Sequence, residues 1–153
     1  MLGSLLESGR WLGRGTLLPA GRSLGQAVEC ELQIESEDGA GVLTGTWREA
    51  GQPAVAFSLR VARNEEGTWT VGARAGALQL QGSAKLDSPP NLALLWNDAG
   101  NLHLTATLFA VDGGYGCRGF ARDGERVSTW EIAFRLEQAV VGGPNVISLH
   151  RRR

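Results

Sequence analysis

Val28-Glu29-Cys30-Glu31-Leu32-Gln33-Ile34-Glu35 carries an apolar side chain at every even position and a polar one at every odd position. A period of two belongs to a strand with one dry face and one wet face. Val28, Cys30, Leu32 and Ile34 form the dry face. Glu29, Glu31 and Glu35 project from the wet one, where carboxylates serve solubility rather than paired acid–base catalysis. The same alternation returns in Val55, Phe57, Leu59 and Val61 against Ala56, Ser58 and Arg60. It returns again in Trp130, Ile132, Phe134 and Leu136 against Glu131, Arg135 and Glu137. These three strands are expected to anchor the core.

Turn chemistry divides the rest of the chain. Glu37-Asp38-Gly39, Asn64-Glu65-Glu66-Gly67, Ser88-Pro89-Pro90-Asn91, Asn97-Asp98-Ala99-Gly100, Asp112-Gly113-Gly114 and Arg122-Asp123-Gly124-Glu125 each read as a tight connection. Strands are predicted over 10–18, 24–36, 41–48, 53–63, 67–74, 77–86, 91–97, 101–110, 115–122, 126–138 and 145–152. An open sheet of that many strands would leave two free edges and strain under its own twist, so closure is favoured. The expected fold is all-β, an antiparallel up-and-down β-barrel of about ten strands. Leu2, Leu5 and Leu6 have the spacing of a short amphipathic turn that would plug one end. About eight strands give an interior that side chains can fill, and about ten leave room for a ligand.

The 153 residues suit one domain spanning 1–153, and the formal net charge of -1 gives no electrostatic footprint for nucleic acid or an anionic membrane. Nearly all the basic residues are arginine, with Lys85 the only lysine. Cys30 and Cys117 lack the spacing of a zinc site or a redox pair and are expected to be reduced, structural thiols. Met1 to Glu7 has no basic leader and too short an apolar run for an export signal, so a cytoplasmic location is expected.

A second stretch narrows the fold. Gly9-Arg10-Trp11-Leu12-Gly13-Arg14-Gly15, with Pro19 shortly after and Arg151-Arg152-Arg153 at the end, resembles the calycin superfamily of lipocalins, fatty-acid-binding proteins and nitrobindin-like barrels. The resemblance implies that Trp11 packs at a closed barrel end beneath an arginine of the final strand, with Arg151 or Arg152 in that role. An indole face and a guanidinium stem suit such a seal. Within the superfamily, the first strand is most similar to the nitrobindin branch, whose haem is held by a histidine near the start of the last strand. Here Asn145 stands about where that ligand belongs, and His150 follows a few residues on. The departure argues against haem, and no cofactor is expected.

Candidate chemistry is sparse. His103 and His150 are the only histidines, so a multi-histidine metal site is excluded. His103 shares a strand face with Thr105 and Thr107 and reads as a surface residue. The tryptophans are the better signal, because pocket linings are mainly apolar and aromatic. Trp47, Trp69, Trp96 and Trp130 are candidate ligand walls, and Tyr115 and Arg118 are candidate polar contacts for a ligand head. No residue is assigned a catalytic role. The expected function is non-catalytic binding of a small hydrophobic molecule, as carrier or sensor. The alternatives are an isomerase, cyclase or chromophore lyase acting through Cys117, Tyr115, His103 or Arg118, and a structural or partner-binding barrel with a filled lumen. A homodimer formed through unpaired strands at the barrel seam is also expected.

Overall fold

The computed structural model describes residues 7–139. These form ten strands: β1 (Gly9–Leu18), β2 (Gln26–Glu37), β3 (Ala40–Glu49), β4 (Val55–Arg63), β5 (Trp69–Ala75), β6 (Leu78–Lys85), β7 (Asn91–Trp96), β8 (Leu102–Val111), β9 (Gly114–Asp123) and β10 (Arg126–Ala139). Each pairs antiparallel with its neighbour in sequence, and β10 returns to pair with β1, closing the barrel. The antiparallel up-and-down expectation is met. The expected plug at Leu2, Leu5 and Leu6 and the expected strand at 145–152, with Asn145, His150, Arg151 and Arg152, lie outside the described residues. Closure among the described residues is made by β10, which leaves no free seam edge for the dimer to use.

The turns behave as their residues require. Gly39, Gly67, Gly100, Gly113 and Gly124 all adopt positive φ, the conformation that lacks a Cβ penalty only in glycine. Asn64 accepts backbone N–H groups from Glu66 and Thr68 through Oδ1, an Asx-type clasp on the β4–β5 turn. The turns at 38–39, 64–68, 86–90 and 112–113 share one end of the barrel, here the lower end. The connections at 19–25, 50–54, 76–77, 97–101 and 124–125 share the upper end.

Because side chains alternate across each strand, the registers assign every residue to lumen or outer wall. Trp11, Leu32, Gly45 and Phe57 face the lumen in one pairing row, and Leu12, Glu31, Thr46 and Ala56 face outward in the next. The main core fills the lower part of the lumen with Trp11, Ile34, Leu43, Val61, Trp69 and Val71. Exposed ion pairs Arg10–Glu31 and Arg48–Glu29 lie outside, so the expected wet face of β2 is wet.

The seam depends on close approach. A Cβ on Gly15 would sit 1.9 Å from the Glu131 carbonyl oxygen, whereas a Cβ on Gly72 of β5 meets nothing within 4 Å. Gly15→Ala is therefore expected to cost about 1–3 kcal/mol by forcing β1 from β10. Gly72→Ala is expected to be neutral or slightly stabilising. Urea denaturation of both variants is the check, and equal midpoints would contradict the seam geometry.

Candidate functional site

The lumen changes character along its length. Lumen-facing residues of the lower half are packed tight: Trp11 is 4% exposed and Trp69 is 3% exposed. The Trp11 indole N–H donates to the Glu7 carbonyl at 2.9 Å, and its ring lies 5.8 Å from that of Tyr115. Trp69 donates to Asp87 Oδ1 at 3.3 Å while the Arg63 guanidinium sits 5.6 Å from its ring centroid. Arg63 also donates to both Asp87 oxygens at 2.7 Å, and these hydrogen bonds hold the Asp87 carboxyl below its ordinary range. Lys85 clasps the neighbouring turn through the carbonyls of Ser88 and Pro90. The lower end is thus sealed by its own side chains.

The upper half is different. Val28 and Cys30 are buried there, but Phe57, Trp47 and Trp130 face the lumen only half-buried, and at the rim Val55 and Leu78 are 50% and 39% exposed. The reason is where the large rings lie. Trp130 is paired with Gly119 and Phe57 with Gly45. A Cβ on Gly119 would come within 2.5 Å of the Trp130 ring, and one on Gly45 within 3.1 Å of the Phe57 ring. Each aromatic therefore lies over the glycine beside it, along the wall rather than across the lumen. Cross-strand aromatic cover of a glycine is a known stabilising device in sheets. Here it lines the wall with apolar surface.

One charged side chain joins these walls. Glu49, at the end of β3, shares its pairing row with Val28, which is 1% exposed and points inward. Its Oε1 accepts from Gln26 Nε2 at 2.6 Å and its Oε2 from Trp47 Nε1 at 3.2 Å. The strand expected over 41–48 stops one residue short of Glu49, which ends the observed β3. The signal was present, because Gly41, Leu43, Gly45 and Trp47 set an inward parity that Glu49 continues.

The six proposed ligand contacts accordingly separate into three groups. Trp47 and Trp130 line the upper lumen. Trp69 and Tyr115 face inward but belong to the packed lower half, contrary to the expectation of a ligand wall and a polar ligand contact. Trp96 and Arg118 face outward, and the structure corrects their assignment to the site. Trp96 pairs with Gln81 and His103 beside the exposed Leu92 and Leu94. Arg118 donates to Glu131 at 2.7 Å and covers the Phe109 ring on the outer wall. His103 is exposed, as the surface reading expects.

Both cysteines face the lumen and both are free. Burial pushes the Cys30 thiol up from 9.0 to about 12, with added repulsion from Cys117 and Glu31. Burial also raises the Cys117 thiol, against an opposing hydrogen bond from Trp130. Neither is thereby activated as a nucleophile, which must be a thiolate. Among the described residues no group of three or more His, Cys, Asp and Glu is placed to hold a metal ion. The same residues contain no helix long and apolar enough to cross a membrane. The sequence matches no protein-family model and no curated protein.

The raised Cys30 value has a consequence for stability. The unfolded thiol ionises near 9.0 and the folded one only near 12, so deprotonation favours the unfolded chain. The contribution is whole below about pH 9 and is lost toward about pH 12, at up to about 1.4 kcal/mol per pH unit. Urea midpoints of the native chain and Cys30→Ala, followed from neutral to alkaline pH, are expected to converge as pH rises. A difference that stays constant would show that the folded thiol ionises normally.

Proposed function

We propose that this protein binds a small apolar or amphipathic molecule in the upper lumen of its barrel, as a carrier or sensor without covalent chemistry. The observation that carries the reading is the contrast along the lumen. The lower half is closed by Trp11, Trp69 and Tyr115, while Phe57, Trp47 and Trp130 are inward, half-buried and outside the core cluster, and the rim residues Val55 and Leu78 are exposed. Apolar surface removed from water is worth roughly 25 cal/mol per Å², less association and ordering costs, which makes micromolar affinity a reasonable scale. A concave apolar wall with a few convergent polar groups has the composition of a small-molecule site.

The finer reading is a calycin-type carrier. Its support is the sequential ten-strand barrel and the position of Trp11 on the first strand, packed in the sealed half. A cytoplasmic setting fits two unbridged thiols. The ion pairs on β1 to β3 and the net charge of -1 favour neither a lipid-facing wall nor a polyanion partner. The isomerase, cyclase or lyase alternative draws no support from the lumen thiols, both of which burial keeps protonated at neutral pH.

Native mass spectrometry of the freshly purified protein, followed by titration with the uncharged fluorophore N-phenyl-1-naphthylamine, tests the reading. Enhanced, saturable fluorescence is expected. Trp130→Ala is expected to weaken it by about tenfold, equivalent to about 1.4 kcal/mol. Trp96→Ala, on the outer wall, is expected to leave it unchanged. Absence of both a retained mass and saturable fluorescence would favour a structural barrel, and a larger loss in Trp96→Ala would move the site outside.

A further inference from the structure

The lumen carries information about the ligand's head group. Four adjacent strands bring Trp130, Leu17, Gln26, Glu49 and Trp47 to the upper end with their side chains on the lumen face. Glu49 is the charged member of this arc. Both groups that orient it, the Gln26 amide and the Trp47 indole N–H, are neutral donors, so they position the carboxylate without cancelling its charge. Among the described residues no arginine or lysine forms an ion pair with Glu49. Three of the arginines are committed elsewhere. Arg118 is paired with Glu131 on the outer wall, Arg48 with Glu29 outside β3, and Arg63 with Asp87 at the lower end. The other charged strand residues of matching parity at the upper rim, Asp123 and Arg126, face each other across the exposed β9–β10 hairpin.

From this geometry we infer that the site selects a ligand with a cationic amine head on an apolar body, received by Glu49 and rejecting the corresponding carboxylate. An ammonium has three donors, and each Glu49 oxygen keeps lone-pair capacity beyond its single neutral hydrogen bond. The Trp47 indole next to the carboxylate adds a surface that attracts cations. From that head position the apolar body extends along the walls formed by Trp130 and Phe57. A fatty-acid anion would place its carboxylate against Glu49 in a half-buried setting, whereas the rim cation of lumen parity, Arg126, is exposed and stands opposite Asp123 on the hairpin. Like charges in such a setting repel, and the cost grows with desolvation.

The inference rests on the upper-lumen binding reading, and the test separates the two. Decylammonium, decanol and decanoate share one apolar body and differ in head charge. Each is titrated at neutral pH against protein loaded with N-phenyl-1-naphthylamine, and displacement is measured for the native chain and for Glu49→Gln, with circular dichroism confirming the fold. Decylammonium is expected to displace best, decanol next and decanoate least, with at least about tenfold between the charged pair, or about 1.4 kcal/mol. Glu49→Gln keeps the side chain's shape and is expected to bring decylammonium down to decanol, leave decanol unchanged and improve decanoate. Displacement by all three with equal strength, or an order that Glu49→Gln does not alter, overturns the head-group inference while leaving lumen binding intact. Failure of decanol to displace the fluorophore overturns both.

Discussion

The pairing of β1 with β10 turns a meander into a wall with two distinct sides. The first strand admits this closure because it has little side chain at the contact: Gly13 lies under the Phe134 ring, and Gly15 brings its backbone against that of Glu131 and Ile132. A register shift between Arg10 and Trp11 adjusts the lower end of the seam, where the Trp11 indole drops into the core and donates to Glu7. With the edges joined, each backbone ladder has a partner on both sides, and parity assigns each strand residue to lumen or solvent. The packed lower half, the open upper half and the inward Glu49 all follow from this register.

Closure also decides which interactions stabilise the molecule. The outer ion pairs Arg10–Glu31, Arg48–Glu29 and Arg118–Glu131 join side chains that are about half exposed or more, where such pairs contribute little. Stability therefore resides in apolar burial, in the cluster around Trp11, Ile34, Val61 and Trp69 and at Val28, Cys30 and Ile132, and in the ties that hold the lower turns.

The strands and turns were legible because period-two alternation and glycine-bearing turns are local signals. The observed β2, β4 and β10 begin and end within about two residues of the spans read from sequence, inside the ordinary uncertainty of such boundaries. Facing was legible only where the two faces contrast. Asn91-Leu92-Ala93-Leu94-Leu95-Trp96 is apolar on both sides, so nothing in the pattern says that Leu95 is inside and Trp96 outside. Gly114-Tyr115-Gly116-Cys117-Arg118-Gly119 has too many glycines to display a face, and Arg118 was misplaced for that reason. Trp69 and Trp47 share the lumen, yet one is buried in the core and the other lines the open half. That difference depends on the stagger between strands, a property of the closed sheet that no single strand encodes.

The open half is best understood through its glycines. In an alternating strand a lumen-facing glycine removes a side chain from the interior, and a large neighbour would ordinarily project into the space. Trp130 instead covers Gly119, and Phe57 covers Gly45, so each ring fills the gap in the wall. Ala106 and Ala121, neighbours of Gly119 and Leu104 on the same inner face, add little volume. A barrel of about ten strands is already wider than average side chains fill. Small residues paired with rings laid flat add little bulk to it, and its surface remains apolar. Here the half-buried rings lie toward the rim, where Val55 and Leu78 are exposed, and they are joined by a carboxylate whose orientation is fixed by two neutral donors. Apolar walls supply attraction without direction, and a single fixed charge supplies direction. An amphipathic guest with its head at Glu49 and its body along the rings satisfies both.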